Sequence, residues 1–208
     1  MPFRSLLVLI LFMLTVHTGA AADRNLFKIV ALGDSLTAGY GLANAEALPA
    51  QLEAALQKRG HNVRVINAGV SGDTSAGGLR RLDWTLADNP DLVLLALGSN
   101  DALRGLDPEK TRANLDAIIE KIRQKGSQVL LAGMKAPRNL GPTYYTRFDN
   151  LYPELAEKHA IPFYPFFLEG VATRAEFNQA DGIHPNARGV EIMVKNLLPV
   201  LQALLPAN

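Results

Sequence analysis

The chain of 208 residues has no cysteine. That absence excludes disulfide staples, thiolate nucleophiles, thiolate metal ligands and a lipid anchor on an N-terminal cysteine. No sign of charge dominates either. Lys and Arg number 21 and Asp and Glu 20, which leaves neither the basic footprint of a nucleic-acid binder nor an acidic tail. Low-complexity tracts, internal repeats and a Pro/Gly/Ser linker are also missing, so nothing divides the chain into two domains. What is present is a hydrophobic content of 48%, which at this length suits one globular domain with a sizeable core.

The longest apolar run is confined to the start. Arg4 is followed by a nearly unbroken apolar segment from Leu6 to Val16, then by the small residues Gly19 to Ala22. A basic start, a short apolar core and an Ala-x-Ala end predict a secretory signal peptide over residues 1–22, and the core is too short for an ordinary membrane span. Cleavage after Ala22 removes Arg4 and no acid, so the basic and acidic side chains of the remainder balance. Residues 23–208 are then one domain, exported to the periplasm or secreted, with no stable membrane span once the leader is gone. An uncleaved N-terminal anchor is the competing reading.

Beyond the leader, short apolar runs alternate with amphipathic stretches. Leu26 to Leu32, Val63 to Ile66, Asp91 to Leu97, Val129 to Ala132 and Ile161 to Phe166 read as strands. Glu46 to Arg59, Thr74 to Ala87, a segment opening at Asp107-Pro108-Glu109 and stopping at Gly126, Phe148 to His159, and Val190 to Leu205 read as helices. In the third of these Asp107 caps, Pro108 needs no donor and Glu109 meets the positive end of the dipole. Strands alternating with helices predict an α/β fold, a three-layer α/β/α sandwich with about five parallel strands of flavodoxin-like type.

In such sheets ligands sit beyond the carboxyl ends of the strands. The turns there are Gly33-Asp34-Ser35-Leu36, then Gly69 to Thr74, then Gly98-Ser99-Asn100-Asp101, with Asp181-Gly182-Ile183-His184 after the last strand. A hydroxyl, amide donors, an imidazole and carboxylates at one sheet edge form the inventory of an acyl-transfer site. Gly33 to Thr37 is not the Gly-x-Ser-x-Gly elbow, because Thr37 stands in place of the second glycine.

These turns resemble the four blocks of the SGNH hydrolases, or GDSL esterases. Gly33-Asp34-Ser35-Leu36 matches the nucleophile block, Gly72 the second, Gly98-Ser99-Asn100-Asp101 the Gly-x-Asn-Asp third, and Asp181 to His184 the Asp-x-x-His fourth. The similarity runs in order from about Leu26 to Asn186, and Asn67-Ala68-Gly69, Ser71 to Thr74 and Leu103 to Leu106 look like the small periplasmic thioesterase I, lysophospholipase L1 and arylesterase subgroup. Ser99 departs from the Gly-Gly-Asn often found there. The resemblance implies Ser35 as nucleophile, His184 as base and Asp181 as its partner. It implies an oxyanion hole from the N–H groups of Ser35 and Gly72 and the Asn100 amide, and aryl esters, lysophospholipids and acyl thioesters as substrates.

Each residue also has a structural reading. Ser35 can cap a helix, Asn100 and Asp181 can serve turns, and Gly72 can be a backbone hinge. His61 follows Gly60 and reads as solvated, and His159 reads as a cation at a helix end, which leaves His184 as the histidine of the mature chain near the catalytic edge. Asp34 and Asp101 read as carboxylates that order loops. Leu103, Leu106, Leu140, Tyr144 and Tyr145 are candidates for an apolar substrate groove, with local packing as the equal alternative. No metal and no organic cofactor is expected. The expected partner is a small acyl ester, thioester or lysophospholipid, met by a monomer. A carbohydrate O-acetylesterase using the same site, a phosphate-cradling binding module and an Asp/His zinc site are the rival readings.

Overall fold

The computed structural model describes residues 26–206. The leader expected over residues 1–22 lies outside the described residues. Five strands, β1 (Phe27–Gly33), β2 (Val63–Gly69), β3 (Leu92–Ala96), β4 (Gln128–Ala132) and β5 (Phe163–Tyr164), form one parallel sheet in the order β2-β1-β3-β4-β5. All five residues of β3 are buried, as a central strand covered on both faces requires.

The helices divide into two layers. On one side α2 (Leu48–Gln57) packs against α8 (Ala187–Gln202) and β2. On the other, α6 (Pro108–Gln124) lies between α3 (Ser75–Arg80) and α7 (Pro142–His159). Short helices α1 (Ser35–Ala38), α4 (Leu82–Thr85) and α5 (Ser99–Leu103) complete the set. The apolar stripe of α6 is the one its spacing predicts, with Leu115, Ile118, Ile119 and Ile122 buried and the Asp107 carboxylate accepting from the Glu109 N–H. Among the described residues no helix is long and apolar enough to cross a membrane.

Several boundaries differ from expectation. The helix expected over 74–87 is two helices that meet at Arg81, whose guanidinium is held by Asp73 at 2.6 Å and by the Gly33 carbonyl at 2.9 Å. Gly78 lets α3 approach the sheet: a Cβ there would lie 2.2 Å from Leu97 Cδ1. Helix α7 begins at Pro142 rather than Phe148, with Pro142 in the first turn where no amide donor is required. Pro153 does not end it, because Phe148, Leu151, Tyr152 and Leu155 are buried along the helix and outweigh the lost hydrogen bond. Strand β5 spans two residues instead of six; Pro162 and Pro165 bracket it at the sheet edge, where a missing N–H is tolerated.

His159 closes the last turn of α7, as expected, and is buried, with Nε2 2.6 Å from Asp116 Oδ1. One histidine assignment is corrected. His61 is half-buried, with Nε2 3.4 Å from Gln202 Nε2.

Candidate active site

Strands β1 and β3 are neighbours, with Gly33 paired to Ala96, yet the chain leaves them toward opposite helical layers. The crevice at such a switch point lies between the two departing turns. The first turn carries Ser35 as the opening residue of α1, and the second carries Ser99 and Asn100 at the opening of α5.

His184 comes from the loop between β5 and α8. Its Nε2 lies 2.9 Å from Ser35 Oγ, and its Nδ1 lies 2.7 Å from Asp181 Oδ2. The other carboxylate oxygen, Asp181 Oδ1, accepts the backbone N–H groups of Ile183 (2.9 Å) and His184 (3.0 Å), so the three-residue spacing closes a small ring. The His184 N–H, then the imidazole, then the Ile183 N–H hold the Asp181 carboxyl down at about 2 from an ordinary 3.8. The Tyr40 ring lies against the imidazole with centroids 4.5 Å apart.

The Ser35 N–H, at the first position of α1, and the Gly72 N–H have no protein acceptor among the described residues. Gly72 has φ +82°, a conformation costly for any side chain, and its carbonyl accepts from Arg104 at 2.8 Å. The Asn100 amide donates to the Asp73 carbonyl at 3.0 Å and more weakly to Asp34 Oδ2 at 3.3 Å. The fully buried Asp34 also accepts from Ser99 Oγ and from the Leu36 N–H. Burial raises the Asp34 pKa, against the lowering effect of these donors. Buried Asp101 accepts from the Ser75 N–H (2.8 Å), Ser75 Oγ (2.5 Å) and Thr111 Oγ1 (3.1 Å), tying α5 to α3 and α6.

A cavity of about 270 Å³ opens beside these groups. Ser35, Asn100 and His184 line it together with Leu36, Leu103 and Ile183. Of the five residues suggested for a groove, Leu103 is in this lining and Leu106, Leu140, Tyr144 and Tyr145 are not. The early start of α7 explains the tyrosines. Tyr144 stacks on Phe148 and donates to the Leu106 carbonyl at 2.7 Å, and Tyr145 lies under Arg138. Gly72 also lies outside the lining, on an exposed turn beside it.

Sequence reasoning missed Gln179 and Lys135. Gln179 donates to the Tyr40 and Pro185 carbonyls, and Lys135 lines the cavity from the turn after β4. Neither belongs to a catalytic residue type in a recognisable spacing, so composition carried no signal. Away from this edge Asp116, Glu120 and His159 converge, but the Asp116 oxygens are already taken up by Lys158 (2.6 and 2.8 Å) and His159.

Residues 31–192 match the model of the GDSL-like Lipase/Acylhydrolase family. The chain is 40% identical to Esterase TesA of Pseudomonas aeruginosa over 203 residues, covering 97% of this chain and 100% of that one. It is 37% identical to Thioesterase 1/protease 1/lysophospholipase L1 of Escherichia coli over 204 residues, covering 96% and 95%. A solved crystal structure of TesA superimposes with a TM-score of 0.82 at 41% identity, covering 86% of this chain and 99% of the other.

Proposed function

Since the chain belongs to the GDSL-like lipase/acylhydrolase family and is an ester hydrolase, we propose that it cleaves carboxylic esters and thioesters through an acyl-enzyme on Ser35. The observation that carries this reading is the unbroken chain from Ser35 Oγ through His184 to Asp181, at 2.9 and 2.7 Å. His184 takes the Ser35 proton as Oγ attacks the acyl carbonyl, and Asp181 holds the imidazole in the required tautomer and balances the imidazolium. The free N–H groups of Ser35 and Gly72 receive the oxyanion, together with the Asn100 amide once it gives up its weaker contact with Asp34. His184 then protonates the leaving alkoxide or assists the leaving thiolate, and water, activated by the same imidazole, releases the acid.

The substrate class is a small acyl ester, thioester or lysophospholipid, with the acyl chain against Leu36, Leu103 and Ile183. Residues 1–22 act as a leader that sends a single catalytic domain to the periplasm or the medium, where it works as a monomer without metal or cofactor.

The test is turnover of p-nitrophenyl esters of increasing acyl length by the wild type and by Ser35→Ala. Wild-type turnover with a loss of about 10⁴-fold or more in the variant is expected. Equal rates in the two proteins would remove Ser35 from the mechanism.

A further inference from the structure

The cavity beside Ser35 continues into a second depression. Lys135, Pro137, Leu168, Ala172 and Thr173 line the first, and the same five residues line a larger, open groove of about 800 Å³. The groove adds Arg138, Arg174 and Glu169, so three cations face one carboxylate.

Their charges are not equally compensated. Arg138 is bound to Asp149 at 2.8 Å, and Arg174 lies 4.0 Å from Glu176. Lys135 has no carboxylate within 4.0 Å among the described residues, and its ammonium stands 4.5 Å above the centre of the Phe166 ring. A cation held over an aromatic face is positioned without being neutralised. An unanswered positive charge therefore stands at the junction of the catalytic cavity and the open groove.

An ester has two arms. The apolar wall of Leu36, Leu103 and Ile183 suits a hydrocarbon arm, whereas the groove past Lys135 presents cations that an alkyl chain would desolvate at a cost. We propose that the groove receives the alcohol or thiol arm of the substrate and that Lys135, with Arg138 and Arg174, selects leaving groups that carry a phosphate. The proposal rests on the acyl-hydrolase reading of Ser35 and His184 and adds the chemistry of the group expelled. Lys135 serves as a point charge, and the arginines supply forked donors to phosphate oxygens. Glu169 opposes them and sets a limit on affinity.

The test uses paired esters. 4-Butyryloxyphenyl phosphate carries the anion on the leaving arm, and its dimethyl phosphate ester is the neutral counterpart. Mono-p-nitrophenyl succinate against p-nitrophenyl butyrate places an anion on the acyl arm instead. The readout is the ratio of kcat/KM for charged over neutral ester, in which intrinsic reactivity cancels between protein variants. Lys135→Glu is expected to lower the phosphate ratio about three- to tenfold, the range of an exposed to partly desolvated ion pair. Lys135→Arg is expected to preserve it and Glu169→Gln to raise it. Added salt should erode the ratio in the wild type more than in Lys135→Glu. A phosphate ratio unchanged in Lys135→Glu overturns the proposal, as does a change confined to the succinate pair, which would put the anion on the acyl arm. If the wild type cleaves none of the four esters, including the neutral ones, the hydrolase reading itself has failed.

Discussion

Gln179 donates from one side-chain amide to the carbonyl of Tyr40, 139 residues away in the chain, at 2.7 Å, and to the carbonyl of Pro185 at 3.0 Å. One end of this bridge is on the turn that follows Ser35 and the other is next to His184. The amide therefore ties the loop of Ser35 to the loop of His184. A Cβ on Gly41 would lie 2.2 Å from Gln179 Oε1, which shows how closely the two loops meet.

Gln179→Ala should lower kcat about 10- to 100-fold, because small misplacements of reacting groups are that costly. KM and the far-UV spectrum should change little. Steady-state kinetics on a p-nitrophenyl ester decide the matter, and a wild-type kcat would show that the loops hold their spacing without the bridge.

The pH dependence of activity should not come from Asp181. With its carboxyl held at about 2, below an ordinary 3.8, Asp181 is ionised throughout the working range. A depressed carboxylate contributes stability that is present above its unfolded value and is lost as pH falls toward its folded value, so the Asp181 contribution to folding is constant above about pH 4 and is lost only below it. Asp181 should therefore add no ionisation of its own to the activity profile above about pH 4. Asp181→Asn should cost about 10⁴-fold in kcat. A kcat/KM profile flat from acid to neutral pH would count against an imidazole base.

Ser99→Ala removes a donor from the fully buried Asp34 and should cost about 1–3 kcal/mol of stability. Burial raises the Asp34 pKa, and losing a donor to the carboxylate raises it further. A group raised on folding contributes stability that is fully present below its unfolded pKa and is lost as pH rises through its folded value. The penalty of Ser99→Ala should thus be largest at neutral pH and shrink in acid. Melting curves at two pH values test this, and a penalty independent of pH would mean that Asp34 is not the group affected.

Thr37 presents the opposite case. Its Oγ1 is buried without a hydrogen-bond partner among the described residues, and the residue is 1% exposed. Thr37→Val keeps the branched shape and removes a desolvated hydroxyl, so a gain of about 1 kcal/mol is expected. That corresponds to roughly 2–4 °C in Tm for a chain of this size. A lower Tm would indicate that the hydroxyl is satisfied after all.

Much of the fold was legible because central parallel strands must be apolar on both faces: β1 and β3 stand out as apolar runs, and the glycines after them mark the sheet edge where Ser35 and Asn100 emerge. The contact between Asp181 and His184 was legible because the two residues share one short loop. Boundaries were harder to read where packing competes with propensity. The expected helix began at Phe148, and α7 instead starts at Pro142 and runs on through Pro153, because the burial of Phe148 and Tyr152 holds it together; the earlier start moves Tyr144 and Tyr145 out of the expected groove. Lys135 and Gln179 were illegible because their roles depend on contacts between distant segments, which no local pattern encodes.

The two halves of the site hang from parts of the sheet that differ in how firmly they are tied. Ser35 leaves β1, a strand paired along both sides, whereas His184 follows β5, an edge strand whose ladder with β4 is the two pairs Leu131–Phe163 and Ala132–Tyr164, continued by the Phe167 N–H to the Gly133 carbonyl. Segments with few backbone pairings open at lower free energy than the core. On gentle heating the base should drift from the nucleophile while the sheet is still intact, so enzyme activity should fade before the circular dichroism melts and return fully on cooling. Heat sensitivity in this molecule would then be a property of its sheet margin, and stitching β5 more firmly to β4 would extend its working range without touching a reacting atom.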